Sequence, residues 1–368
     1  IIFNLGETFL TVGWLRIIIQ RGSLQKNLLK ATIAYFLLCF FGLIYGTWRL
    51  SSLEENNPDL LVQNSKLDIL LVQPNFSLKD LASNPELSYS ERKYNLENLI
   101  IDSKNGLRKL IKNNDSTRLV VWPESVFPEP FFKNKLSRQK VIDFAKKNKV
   151  YILFTTIDWE NSSNGEKFFG VSVLLDKKGD LIGRYNKIFL IPFGEMIPFS
   201  SWFPKIASWL RRNISNISEF HPGNEFKVFN ISGGSKLSAP ICFDIFAPVV
   251  IRKMVQNGSN LIINLSNLAW FGKTNASDSM VAFLRWRAIE NRVPVVFASN
   301  NGQSLFIGAN GENLTKQLNL FEEGTIYSTL KLRSRFSFYR EFAEWLWGIY
   351  ILMFLVYCYL AYRIGKIF

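Results

Sequence analysis

Hydrophobic and polar positions divide this chain into three stretches. Near each end runs an apolar segment, Ala31–Trp48 and Trp345–Tyr362, each eighteen residues without a charge. Between them lie roughly 290 residues in which short β-rich runs alternate with amphipathic stretches, a span that length alone reads as one or two domains. The pattern predicts strands at Leu67–Val72, Leu119–Trp122, Tyr151–Thr155, Gly170–Leu175, Lys236–Cys242, Leu261–Leu265 and Pro294–Ala298. It predicts helices at Ser90–Asn113, Ser137–Lys147, Ala247–Asn257 and Ser277–Asn291. In the first helix Leu96, Leu99, Ile100, Leu107, Leu110 and Ile111 recur near helical spacing. Strands alternating with helices predict an α/β layer fold in which helices cover a sheet. Gly233–Gly234 reads as a hairpin turn. Ser51–Lys66, rich in Asn and acidic residues, reads as a linker.

The end segments are expected to be transmembrane helices rather than buried core helices. Eighteen residues at a rise of ~1.5 Å just cross a bilayer core of ~30 Å. Trp48, Trp345, Trp347 and Tyr362 sit at their ends, where aromatic side chains favour the membrane interface. Phe3–Ile19 is a weaker third candidate, because it holds Glu7 and Arg16. The chain opens on Ile1 and no cleavage site follows the apolar run, so further membrane helices are expected to precede it. The short loop Arg21–Lys30 carries Arg21, Lys26 and Lys30 without an acid, and the tail carries Arg363 and Lys366. The positive-inside rule puts both in the cytoplasm and the middle domain on the opposite, periplasmic side of a bacterial inner membrane.

The net charge of +14 changes the picture little. No basic run with interleaved aromatics marks a nucleic-acid module, and a basic face near anionic lipid head groups is the simpler account.

Cysteine and histidine usage narrows the chemistry. Cys39 and Cys358 lie in the apolar ends, leaving Cys242 alone in the middle domain. A free thiol in an oxidising compartment is either buried filler or a reactive group. Its position at the end of Lys-Leu-Ser-Ala-Pro-Ile-Cys, with Asp244 two residues on, favours the second. Two other strand-like runs end on Glu124 and Lys187. A carboxylate, an amine and a thiol at one sheet edge suffice for acyl transfer. His221 is the only histidine and sits in the turn sequence Phe-His-Pro-Gly, so a Cys–His site or a zinc site is not expected. No phosphate or dinucleotide loop appears, and no cofactor is expected.

These residues resemble the nitrilase superfamily, and in particular its membrane-anchored branch, the apolipoprotein N-acyltransferases. The carriers are Leu-Val-Gln-Pro-Asn (71–75), Trp-Pro-Glu-Ser (122–125), Tyr-Asn-Lys (185–187), Pro-Phe-Gly-Glu-Met-Ile-Pro (192–198), Ile-Cys-Phe-Asp (241–244), Asn-Leu-Ser-Asn-Leu-Ala-Trp-Phe-Gly (264–272), Arg-Ala-Ile-Glu-Asn-Arg (287–292) and Ser-Asn-Asn-Gly-Gln-Ser (299–304). Each is weak alone; their order and spacing are specific. The resemblance implies an α-β-β-α sandwich over residues 67–335, flanked by membrane helices within 1–50 and 336–368. It also implies that Glu124 is general base, Lys187 the oxyanion-stabilising amine, Cys242 the nucleophile and Glu195 a second carboxylate. With Lys187, the Phe243 N–H would complete the oxyanion site, and Asp244 would stand behind it.

The implied reaction moves an acyl chain from a phospholipid, phosphatidylethanolamine, through a cysteine thioester to the amine of a diacylglyceryl-cysteine that begins an apolipoprotein. Four positions depart from the family pattern: Asp244 for a usual Glu, Leu268 for Asp, Phe189 for His and Phe297 for Arg. The stretch Phe193–Leu210 adds independent support for a lipid. Phe199, Trp202, Phe203 and Trp209, followed by Arg211 and Arg212, form an aromatic arm suited to a membrane interface. Two other readings remain open: a membrane-tethered amidase or nitrilase with water as second nucleophile, and a degenerate family member serving as a lipid-binding scaffold.

Overall fold

The computed structural model describes residues 33, 36–37, 40–48, 65–77, 88–110, 117–127, 129–162, 165–200, 202–213, 219–332 and 336–365. Phe3–Ile19, the loop Arg21–Lys30, Cys39, most of the 51–66 linker and Lys366 lie outside them. The chain divides into two compact units, Ile1–Pro58 and Asp59–Phe368. In the first, residues 40–48 are helical.

The second unit holds two sheets. One has the order β11-β1-β2-β3-β4-β5, with β1 (Ser65–Gln73), β2 (Thr117–Val121), β3 (Tyr151–Ser162), β4 (Gly165–Leu175), β5 (Leu181–Asn186) and β11 (Gly324–Leu332). The other has the order β10-β9-β8-β7-β6, with β6 (Phe229–Ile231), β7 (Ser235–Ser238), β8 (Leu261–Ser266), β9 (Val295–Ser299) and β10 (Leu305–Ile307). In both sheets the central pairs are parallel and the edges antiparallel.

Period-2 alternation explains how the layers stack. On β1, Leu67, Ile69 and Leu71 pack into the core shared with β7, β8 and β9, while Leu70 and Val72 face the helices α1 (Tyr89–Leu110) and α2 (Lys135–Asn148). Helices α4 (Pro248–Gln256) and α5 (Ala276–Asn291) cover the second sheet through Ile251, Met254, Leu284 and Ala288. The result is the expected four-layer α-β-β-α arrangement. Local chemistry sets the boundaries. The Asn134 side chain accepts hydrogen bonds from Leu136 N and Ser137 N to cap α2. Pro248 opens α4 at a position where no N–H is needed. Lys149 and Arg292 end α2 and α5 in the left-handed region.

Two further helices matter below. α3 (Pro204–Asn213) follows the lysine strand, and α6 (Phe338–Gly365) is the C-terminal helix. The Arg252–Glu344 ion pair (3.2 Å) ties the start of α6 to α4. The apolar run Trp345–Tyr362 is helical throughout, although several of its side chains lie outside the described set. Among the described residues, no helix is long and apolar enough to cross a membrane.

Two predicted strands end earlier than the sequence suggests. The strand before the thiol ends at Ser238, because Pro240 has no N–H to give the ladder; only an isolated bridge, Ile241 to Leu265, continues it. The strand before Glu124 ends at Val121, with Pro123 two residues on. The Gly233–Gly234 turn joins β6 and β7 as expected.

Candidate active site

Three connections bring the chemistry together. Glu124 lies in the turn after β2, where Ser125 takes a positive φ of 63° and its N–H donates to Thr155 Oγ1. Lys187 follows β5 directly. Its N–H donates to Gly170 O at 2.9 Å, and its own carbonyl accepts from Gly223 N at 2.8 Å. A Cβ at Gly223 would collide with the Asn186 carbonyl, so glycine lets the 221–223 loop lie flat against the lysine backbone. His221, expected as a loop residue, begins that loop, and its N–H donates to Phe168 O.

Cys242 does not end a strand. It opens a one-turn 3-10 helix, Cys242–Phe246, with φ at 44°. A non-glycine residue held at positive φ is strained and persists only where its surroundings over-determine it. Here those surroundings are visible. Asn264 Nδ2 donates to the Cys242 carbonyl at 3.2 Å, and Asp244 Oδ2 accepts from Ile241 N at 2.9 Å.

The side chains converge. Lys187, 2% exposed, lies 2.6 Å from Glu195 Oε1 and 3.5 Å from Glu124 Oε1. Glu195 is held from the other side by Ile191 N, at 2.9 Å from Oε2. Glu124 Oε2 accepts the Asn267 N–H at 3.0 Å, and the Cys242 thiol lies beside the same carboxylate. The four residues predicted from sequence thus form one cluster.

The electrostatics follow from burial and two carboxylates around one ammonium. Burial raises the Glu124 carboxyl above its ordinary value; Lys187 opposes this and Glu195 adds to it. Burial, then Glu124, push the Cys242 thiol well above its usual range, against the pull of Lys187. Cys242 is therefore a protonated thiol beside a carboxylate. Burial alone would lower Lys187, but Glu124, Cys242 and Glu195 more than reverse it, so the ammonium stays charged.

Asp244 joins two of the connections. Its carboxylate accepts from Tyr185 Oη (2.7 Å), Ile241 N (2.9 Å), Phe189 N (2.7 Å) and Ile188 N (3.2 Å). It thereby fastens the backbone after Lys187 to the cysteine turn. Phe243, second in the one-turn helix, has no intrahelical acceptor for its N–H. Its ring stacks on Phe189, with centroids 5.9 Å apart and planes within 5°. Of the other departures, Leu268 and Phe297 are buried apolar residues. The aromatic arm is exposed: Trp202 is 76% accessible, Phe199 67%, and Phe203 and Trp209 more than half. Ile197 and Ala207 of the same stretch are buried and anchor it.

Sequence reasoning missed Asn264, Ser266 and Tyr185. The first two had a signal: alternate polar residues on β8, a strand buried along its whole length, must face partners. Ser266 donates to Asn264 Oδ1 at 2.9 Å and lies beside the thiol. Among the described residues no group of His, Cys, Asp and Glu is arranged to hold a metal ion.

A four-layer α/β protein with a buried carboxylate–amine–thiol cluster on strand-following turns holds the groups that cysteine chemistry at an acyl carbon requires. The carbon–nitrogen hydrolase family model matches residues 82–337, and the chain belongs to that family. Among curated relatives, the apolipoprotein N-acyltransferase of Geobacter metallireducens is 30% identical over 226 residues, 61% of this chain and 42% of that protein. That of Borreliella burgdorferi is 25% identical over 357 residues, 86% of this chain and 66% of that protein. That of Aquifex aeolicus is 32% identical over 249 residues, 67% and 50% respectively. The chain thus spans between 42% and 66% of these relatives' lengths. Two solved structures share the fold. One is an amidase from Nesterenkonia sp. (TM-score 0.53, 18% identity, 74% of this chain and 93% of that one). The other is Saccharomyces cerevisiae Nit3, a member of branch 10 of the nitrilase superfamily (TM-score 0.52, 19% identity, 73% and 91%).

Proposed function

We propose that this chain transfers a fatty acyl group from a phospholipid, through a thioester on Cys242, to the N-terminal amine of a diacylglyceryl-cysteine on an apolipoprotein. The observation that carries the reading is the joint presence of the Glu124–Lys187–Cys242 cluster and the exposed Phe199–Trp209 arm, which begins twelve residues beyond the lysine. A hydrolase of small amides needs the first and has no use for the second. The names of the curated relatives support the same direction.

Glu124 takes the proton of the Cys242 thiol as sulfur attacks the ester carbonyl. The oxyanion falls to the Lys187 ammonium and the Phe243 N–H, and one such donor is typically worth ~3 kcal/mol. The C–O bond breaks, Glu124 returns its proton to the leaving alkoxide, and the thioester remains. The acceptor amine then attacks. Glu124 takes a proton from it, the C–S bond breaks, and the thiolate is reprotonated by Glu124 as the amide leaves. Glu195 keeps Lys187 charged and aimed throughout. Phosphatidylethanolamine is the proposed donor. In this reading Ala31–Trp48 and Trp345–Tyr362 span the bacterial inner membrane, and the catalytic unit faces the periplasm.

Intact mass spectrometry after incubation with phosphatidylethanolamine tests this. A mass gain of one acyl group, absent from Cys242→Ala and discharged by a diacylglyceryl peptide, is the expected result. No adduct, or discharge by water as fast as by the peptide, would refute it.

A further inference from the structure

Resting on that acyl-transfer reading, we infer that the acyl chain of the thioester lies along a row of aromatic rings running from the nucleophile onto the outer face of α5. The row starts at Phe243, the residue bonded to Cys242. Phe243 meets Phe246 at 4.7 Å between centroids, Phe246 meets Phe283 at 4.6 Å, and Phe283 meets Trp286 at 5.0 Å. Phe189 stacks on the near end. Every ring of the row keeps some exposure, and Trp286 is 47% accessible.

Core packing takes up part of Phe246 but does not account for Phe283 and Trp286. α5 buries Met280, Leu284 and Ala288 against the sheet, and that face alone would hold the helix in place. Phe283, Trp286 and Ile289 occupy positions beside or opposite that stripe, where a helix of a layered α/β domain carries polar residues. A continuous partly exposed aromatic strip beginning at a nucleophile marks a ligand surface.

The occupant is fixed by the tether. An acyl group on Cys242 begins at sulfur, is apolar along its length, and must leave the site without crossing the charged Lys187–Glu195 side of the cluster. The three ring steps have the reach of about ten methylenes, each of which gains by leaving water. Among the described residues the Phe199–Trp202 contact of the arm is a separate pair that does not join this row. The row, unlike the arm, begins at the residue bonded to Cys242.

The test compares p-nitrophenyl acetate with p-nitrophenyl laurate on the full chain in mild detergent, reading the Cys242 adduct by intact mass. In each case the thiolate forms the C–S bond, the ester C–O bond breaks, p-nitrophenolate leaves, and the thiol proton passes through Glu124 to solvent. The expected result is that Phe283→Ser with Trp286→Ser lowers the laurate-to-acetate rate ratio about tenfold, and that Phe283→Leu with Trp286→Leu restores most of it. An unchanged ratio in the serine pair overturns the proposal. So does a fall of the same size in Trp202→Ser with Phe203→Ser, which would put the chain along the arm. Weakened vesicle binding with an unchanged ratio would make the row a membrane seat and overturn it too. If neither ester marks Cys242 in the unsubstituted chain, the acyl-enzyme reading itself fails.

Discussion

Replacing Asp244 isolates the device that holds the site together. The side chain is fully buried and accepts four hydrogen bonds, three from backbone N–H groups and one from Tyr185. Asp244→Ala leaves the Tyr185 hydroxyl and the Ile241 and Phe189 N–H groups without their acceptor, while the Ile188 N–H keeps Tyr185 Oη at 3.3 Å. A buried donor deprived of its partner costs ~1–3 kcal/mol. The low end of that range for each of the three gives about 3 kcal/mol. The raised pKa of Asp244 shows that burying this carboxylate carries a penalty of its own, since burial outweighs its donors. Its removal recovers part of the loss and keeps the expected value near the low end.

Asp244→Asn discriminates further. One amide oxygen can keep the Ile188 and Phe189 donors. The Tyr185 hydroxyl can turn to accept from the new NH2, so only the Ile241 N–H is left facing a donor. The expected loss is about 1–2 kcal/mol. Urea unfolding at constant pH would read both, as midpoint shifts at unchanged slope. The order wild type, Asp244→Asn, Asp244→Ala should hold, with thioester formation falling in the same order. If Asp244→Ala lies within about 1 kcal/mol of wild type, Asp244 is not what fastens the lysine loop to the cysteine turn.

Cys242→Ala should abolish the acyl adduct and shift the unfolding midpoint by only about 1 kcal/mol, because little volume is lost; a retained adduct would assign the nucleophile elsewhere. In the proposed reaction Glu124 acts as base when ionised, and its pKa is raised, so acylation should increase with pH over a limb above the ordinary carboxylate range. Glu195→Gln removes a charge that raises that pKa, so the limb should move to lower pH. Lys187→Met removes a charge that lowers it, so the residual limb should move to higher pH; stopped-flow acylation across pH reads both, and opposite displacements would refute the electrostatic assignment. Trp202→Ser with Phe203→Ser should cut activity on phospholipid vesicles by about tenfold or more while the melting midpoint moves little, since both rings are mostly exposed. A fall of several degrees with activity following it would make the arm core.

The layers of the fold were legible because strands buried on both faces read as apolar runs, and helices with one buried stripe read at 3.6 spacing. β6 and β10 were not, since three residues give periodicity nothing to count. β11 escaped for a different reason. It is an edge strand buried at only two of nine positions, Leu330 and Leu332, and its register with β1 is set by pairing, a long-range property that no local pattern carries.

The candidate site was legible by residue type and misread by geometry. Glu124, Lys187 and Cys242 were expected at strand ends, yet only Lys187 follows its strand directly. Pro123 and Pro240 stand before the other two and take them off the ladder into turns of positive φ, at Ser125 and at Cys242 itself. Proline is what frees these backbones. A residue still in a ladder has its N–H committed to a neighbouring strand, whereas the one-turn helix at Cys242 leaves the Phe243 N–H uncommitted beside the thiol. The same turn puts Asp244 where it can reach back to the lysine loop. Shortening the strand is therefore what creates both the uncommitted N–H, the oxyanion donor of the proposed reaction, and the clamp. Replacing Pro240 by a residue with an N–H would let β7 extend toward Leu265 and compete with the turn that presents the nucleophile.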